Sequence, residues 1–395
     1  MNILIYHTLE DVLGGAELVL LHVMNYFLQK PENRVTIIGF KAPDIDKMES
    51  FSGLRFPRER ISSIRVEIPA ILKKRPHTLP RLRTAILQRK TKQIAKNYDL
   101  CVSTYNEIDF GRRGIQYIHM PTFVSYDLLL KYGIAKKDSL LGRYAFLGGL
   151  YLAFSMFLAG NSKKRMEKNM TLTNSHFMRG VIAEEFDIDA EVVYPSLLDF
   201  NEECANDKNT RVSRIACIGR INEDKNTLAL VDLYAQIHQR TPALGLMIAG
   251  KIGDEGYFNA VKNRTMALNL PVEFKTDLSR TEIESLLKTS LFFINPKYCE
   301  HFGIATLEAL RAGCLPFVHQ SGGSVEIIPA PELQYINAQD LSTKVERLVN
   351  DLSLREKLLA QLAEHRKKFS VEQFYREFDA AVVKFIAEEN AKKTA

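Results

Sequence analysis

The sequence predicts an α/β protein of two domains, each a parallel sheet flanked by helices, with the two sheets facing across a cleft. Three observations carry this reading. The chain is 395 residues long, which fits two or three domains better than one. Short β-rich runs alternate with amphipathic segments almost throughout, the pattern of βαβ units and parallel sheets. The alternation breaks once, at 196–212, where LLDFNEECANDKNTR is polar, acidic and without periodicity, as an interdomain linker would be. The composition, 46% apolar and 25% charged, excludes disordered, collagen-like and coiled-coil classes.

In chain order, strands are expected at 2–7, 34–40, 99–104, 114–119, 170–174 and 191–194, with helices over 16–29 and 176–186 between them. In the second half, strands are expected at 213–218, 244–249, 272–274, 291–294 and 315–318. Helices there fit 227–239, 255–268, 280–288 and 304–312. The final helix, 371–389, carries Phe374, Phe378, Val382, Phe385 and Ile386 on one face, so it must pack on something. Two Rossmann-like domains, 1–195 and 213–370, joined by 196–212, is the simplest architecture.

Charge is unevenly distributed. The net charge is +6, yet thirteen basic and two acidic residues between Arg55 and Lys96 give that stretch +11 and leave −5 for the remainder. Such a block suits an anionic membrane surface or a solvated helical face. Nucleic acid comes last, because no helix-turn-helix, RNA-recognition or zinc-finger pattern accompanies it. The run 144–162, YAFLGGLYLAFSMFLAGNS, has no charge and is bracketed by Arg143 and by Lys163, Lys164 and Arg165. Its paired glycines, and strand-like segments of one sheet on either side, argue against a full crossing. It reads either as a buried core helix or as an interfacial helix dipping into one leaflet.

Five scattered cysteines, odd in number and never in a CxxC pair, exclude a disulfide scaffold and a cysteine zinc site and suit a reducing compartment. The opening MNILIYH reads as a buried strand rather than the start of a cleaved secretory signal.

Three strand–loop–helix junctions carry candidate chemistry, since parallel sheets bind ligands beyond the carboxyl ends of their strands. In HTLEDVLGGAE, Gly14 and Gly15 let backbone approach a ligand ahead of a helix N-terminus, although a Gly pair there is more often only a turn. In GRINEDKN, from Gly219 to Asn226, Arg220 and Lys225 leave the two ends of one loop. They can converge on a diphosphate leaving group without a metal. The third, NPKYCEHFGIATLEALRAGCLPFV, is the strongest. Glu300 lies in its loop and Glu308 within the following helix, so both can face the strand ends. The amides of Gly303, Ile304 and Ala305 at that helix start can take a phosphate.

These residues resemble a known family. Glu300 and Glu308 match the E-x7-E motif of the retaining GT-B glycosyltransferases of family 4. Arg220 and Lys225 match that family's GR-x4-K element, and Gly14–Gly15 its N-terminal glycine loop. EHFGI at Glu300–Ile304 and YIHMPT at Tyr117–Thr122 are similar to the GDP-mannose-dependent mannosyltransferases that elongate dolichol-linked oligosaccharide on the cytoplasmic side.

The resemblance implies that Glu300 holds hydroxyls of the donor sugar, Glu308 the ribose, and Arg220 and Lys225 the departing diphosphate. It implies that His119 contacts the transferred sugar and that 371–395 packs back on the N-terminal domain. It also implies metal-independent, retaining transfer from a nucleotide sugar to a glycan or lipid-linked acceptor, with no cofactor. Two departures bear on base preference: Phe274–Lys275–Thr276 lacks the usual glycine, and Tyr298 and Cys299 stand where small residues are usual. A UDP-sugar-dependent transferase of surface polysaccharide synthesis, a nucleotide-sugar epimerase and a non-catalytic sugar-nucleotide-binding protein are the other readings.

Overall fold

A computed structural model of the chain describes residues 1–9, 14–70, 72, 79–134, 145–198 and 211–394. It divides into two compact units, Met1–Asp199 with Phe369–Ala395, and Phe200–Lys368. Most of the 196–212 segment lies outside the described residues, as do residues 10–13 of the glycine loop and residues 71 and 73–78 of the basic block.

The first unit begins with β1 (Asn2–Tyr6), α1 (Gly15–Leu28), β2 (Arg34–Gly39), α2 (Ile45–Ser52) and β3 (Ile61–Arg65). Then follow α3 (Pro80–Ile94), β4 (Leu100–Ser103), β5 (Ile115–Ile118), α4 (Tyr126–Lys131) and α5 (Ala145–Ala159). The one-turn α6 (Lys163–Met166), β6 (Met170–Thr173), α7 (His176–Phe186) and β7 (Glu191–Val192) complete its sheet. All seven strands are parallel, in the order β3-β2-β1-β4-β5-β6-β7. The inner strands are buried on both faces, as helices covering a parallel sheet require: Ile3, Leu4, Ile5, Tyr117 and Ile118 are all closed to solvent.

The second unit carries β8 (Val212–Ile218), α8 (Thr227–Arg240), β9 (Gly245–Ala249), α9 (Glu255–Ala267), β10 (Val272–Lys275) and α10 (Arg280–Thr289). It continues with β11 (Ser290–Asn295), α11 (Ile304–Arg311), β12 (Leu315–His319), α12 (Ser324–Ile327) and β13 (Gln334–Tyr335), then α13 (Ala338–Asn350) and α14 (Leu352–His365). Its six parallel strands run β10-β9-β8-β11-β12-β13. The chain therefore starts mid-sheet in each unit, walks outward, and returns to the other side of its first strand. That leaves a switch point between β1 and β4 and another between β8 and β11, where ligands gather in open parallel sheets.

Local chemistry starts several helices. Ser175 caps α7 through Met178 N–H, and Ser279 with Glu282 forms a reciprocal capping box on α10. The final helix, α15 (Val371–Thr394), belongs to the first unit. Phe374 and Phe378 pack with Tyr26, Phe27 and His22, while the Tyr26 hydroxyl donates to Asp379 at 2.6 Å.

The structure bears on one of the two readings of 144–162. The uncharged segment is not a wholly buried core helix: α5 buries Ala159 and Ser155, but Leu147, Leu150, Phe154 and Phe157 on its other side stand in solvent. Its inner side packs mainly on α3, with Phe123 and α4 alongside. Among the described residues no helix is long and apolar enough to cross a membrane.

Candidate active site

Each switch point gathers polar side chains. In the second unit the turn after β8 carries Arg220 and Lys225, and Lys225 lies beside the loop after β11. Lys225 Nζ reaches Glu300 Oε2 at 3.0 Å, so an ion pair spans the switch point between residues 75 positions apart. Asn226, in left-handed backbone, donates its side-chain N–H to the Pro296 carbonyl and locks the same two loops together. Lys297 lies 3.6 Å from Glu300 Oε1 and also bonds Asp224. Burial would push the Glu300 carboxyl up, but Lys225 and Lys297 outweigh it and hold the acid well below the usual carboxylate range. Burial likewise presses the Lys225 ammonium down, and Glu300 more than reverses this. Arg220 is exposed and makes no ion pair among the described residues.

The backbone around Glu300 leaves no room for side chains. The Gly323 N–H donates to the Glu300 carbonyl at 2.6 Å, and a Cβ on Gly322 would sit 2.4 Å from that oxygen. Gly303 caps α11 at φ +111, where a Cβ would meet Ser324 Oγ at 2.6 Å; only glycine fits. Ile304 and Ala305 follow as the first residues of α11. With Gly303 they present amides at a helix start, the local geometry suited to an anion. Glu308, a turn into α11, is buried and bonded to Arg280 at the start of α10. Arg280 and Lys297 went unremarked in the sequence reading. The Ser279–Glu282 capping signature, which puts Arg280 at a helix start after β10, was the available signal for the first.

In the first unit the strand ends gather largely uncharged groups. His7 Nδ1 bonds Thr104 Oγ1 at 2.9 Å, and the Thr104 carbonyl accepts from His119 Nε2 at 3.3 Å. One threonine after β4 therefore links the residues that follow β1 and β5. Glu17 takes the Gly14 N–H at 2.8 Å and lies 3.6 Å from His7, which fixes the start of α1 at Gly14 and Gly15.

The segment after His119 is held from several sides. Asn106 Oδ1 accepts from the His119 and Met120 amides, both at 3.0 Å. Glu107 accepts from the Thr122 and Phe123 amides, and Arg81 of α3 donates to the Thr122 and Val124 carbonyls at 2.9 Å. Complete burial pushes the Glu107 carboxyl up to about 7. Asn106 and Glu107 were also missed in sequence, since nothing local distinguishes a loop clamp from an ordinary turn.

Among the described residues no group of three or more His, Cys, Asp or Glu is arranged to hold a metal ion.

Comparisons with known proteins converge. Residues 201–369 match the family model described as Glycosyl transferases group 1. The chain is 26% identical over 235 residues to a GDP-Man:Man(3)GlcNAc(2)-PP-Dol alpha-1,2-mannosyltransferase of Kluyveromyces lactis, covering 55% of this chain and 40% of that one. It is 25% identical over 313 residues to human alpha-1,3/1,6-mannosyltransferase ALG2, covering 72% of this chain and 71% of that one. The chain thus spans less than half the length of the first of these relatives and most of the second.

Among solved structures, Anabaena HepE in complex with UDP and glucose superposes with a TM-score of 0.67 at 16% identity. That match covers 96% of this chain and 99% of that one, a likeness of fold. The chain thus has the GT-B fold, carries a Glycosyl transferases group 1 domain over residues 201–369, and is similar in sequence to mannosyltransferases of the dolichol pathway.

Proposed function

We propose that this chain is a retaining, metal-independent hexosyltransferase. It moves mannose from GDP-mannose to a glycan or lipid-linked oligosaccharide at an anionic membrane surface on the cytoplasmic side. The observation that carries the reading is the Lys225–Glu300 pair across the β8/β11 switch point, beside the amides of Gly303, Ile304 and Ala305. Lys225 and Lys297, both on Glu300 and close in sequence to a helix start, suit a departing diphosphate, whose charge grows as the glycosidic bond breaks. Glu300 neutralises Lys225. A bound donor would take the lysine for its phosphates and leave the carboxylate for hydroxyls of the transferred sugar. Glu308 would hold the ribose, and His119, braced through Asn106 and Thr104, would contact the sugar from the first unit. Mannose and the lipid-linked acceptor rest on the names of the two mannosyltransferases.

A UDP-sugar donor is the second reading, left open by the departure at Phe274–Lys275–Thr276 and favoured by the UDP bound to HepE. The test is transfer from radiolabelled GDP-mannose, UDP-glucose and UDP-N-acetylglucosamine to a short-chain lipid-linked acceptor, with chelator present and the product anomer assigned by NMR. An α-mannosyl product from GDP-mannose supports the reading. A β-linked product removes retention, and transfer from a UDP-sugar alone removes mannose.

A further inference from the structure

Helix α5 has two unlike sides. On the inner one, Leu152, Met156, Leu158 and Ala159 pack against Ala85 of α3 and Phe123. Two hydrogen bonds tie the helices: the Arg81 amide donates to the Tyr151 hydroxyl at 3.1 Å and the Arg89 guanidinium to the Leu158 carbonyl at 3.2 Å. On the outer side, Leu147, Leu150, Phe154 and Phe157 are 56%, 52%, 56% and 78% exposed. Their spacing of three, four and three residues sets them in one stripe along the helix. Single exposed apolar side chains are ordinary on soluble surfaces, whereas four in one stripe mark an interaction face.

The charge on α3 and α5 has one sign. Neither α3 nor α5 contains an acid, and α3 carries Arg81, Arg83, Arg89, Lys90 and Lys92. The chain leaves α5 into Lys163, Lys164 and Arg165. Lys163 and Arg165 are matched by Glu185 and Asp109. Exposed Arg89, Lys90 and Lys164 pair with no carboxylate among the described residues.

We propose that α5 lies flat on an anionic bilayer. Leu147, Leu150, Phe154 and Phe157 reach the acyl boundary, with Arg89, Lys90 and Lys164 among the headgroups. This deepens, and rests on, the reading of a membrane-borne acceptor. Fifteen helical residues rise only about 22 Å, too short to span but suited to the interface. A second copy of the chain is the poorer occupant. In a two-fold dimer the patch would face itself and bring its own unpaired cations together, while anionic headgroups neutralise them.

The chain contains no tryptophan, so Phe157→Trp introduces a single indole reporter on the stripe. With vesicles containing about 30% phosphatidylglycerol, its emission should shift to the blue and be quenched by lipids brominated high in the acyl chain. Pure phosphatidylcholine should bind at least about tenfold more weakly. Adding Leu150→Ser and Phe154→Ser should lower partition by a similar factor, with an unchanged melting temperature and unchanged transfer to a water-soluble acceptor.

Sedimentation with vesicles without an emission change would overturn the proposal, as would a lipid-free dimer with a blue-shifted indole, or no vesicle binding. Failure to bind alongside transfer to the soluble acceptor would refute the docking face alone. Docking without transfer from any nucleotide sugar would refute the enzyme reading and leave the face standing.

Discussion

The two switch points occupy equivalent places in similar sheets yet are built from opposite chemistry. At β8/β11 the contacts are ionic: Lys225 and Lys297 on Glu300, Arg280 on Glu308. At β1/β4 they are mostly neutral hydrogen bonds: His7 to Thr104, Thr104 to His119, Asn106 to the His119 amide. Charged groups held in place serve a polyanion, because their attraction to it strengthens as the surroundings exclude water. Neutral groups fixed by a dense network can orient a sugar or acceptor without repelling it. The difference teaches that each unit's chemistry follows what its loops carry, while the sheets only bring those loops together.

The largest break in this comparison should come from the ionic side. Glu300→Ala is expected to lower transfer by about 10²–10³-fold, and Lys225→Ala by a comparable factor. Both should appear chiefly in kcat and leave the circular dichroism spectrum intact. Unchanged transfer by Glu300→Ala would remove its assignment.

Next comes a contrast in pH dependence. Glu107 is raised from the ordinary 4.5 to about 7, so the folded state keeps a proton that the unfolded chain releases. Its contribution is full below about 4.5 and is lost as pH rises through about 7, on the order of 3 kcal/mol. Glu300 is held low, so its contribution is present above 4.5 and is lost as pH falls below that value. Melting temperatures across pH 3–8 for wild type, Glu107→Gln and Glu300→Gln should separate the two slopes. Identical profiles for all three would dissolve the contrast.

The smallest effect is expected at Arg81, which braces the segment after His119 without touching the strand ends. Arg81→Ala should cost about tenfold in kcat at most, with the donor KM unchanged. A change confined to donor KM would place Arg81 elsewhere in the reaction.

Much of this was legible in the sequence because parallel strands buried on both faces read as apolar runs. β1 and β11 are such runs, β2 and β8 become so after a polar start, and the ends of all four fall within a residue or two of the expectation. What escaped was weakly patterned. β3, ISSIR, is an edge strand with three polar residues in five, and β13 is only two residues long. Helix α3 sits within the basic block, where five cations mask the buried stripe of Ala85, Leu87 and Gln88.

At the site, spacing within one loop was readable, but pairings across the fold were not. Nothing in the spacing of Arg280 and Glu308 says that they meet, and the Asn106–Glu107 clamp exists only once β4 and β5 are adjacent.

The central claim is that the second unit's ionic cluster receives a nucleoside diphosphate without a metal. It is tested most directly by thermal unfolding with GDP, GDP-mannose, UDP and UDP-sugars in the presence of chelator. The account predicts stabilisation by the GDP compounds, about 2.7 kcal/mol at a concentration near 100 times the dissociation constant, and its loss in Lys225→Ala. Stabilisation that requires a divalent cation, or that survives Lys225→Ala undiminished, would contradict it.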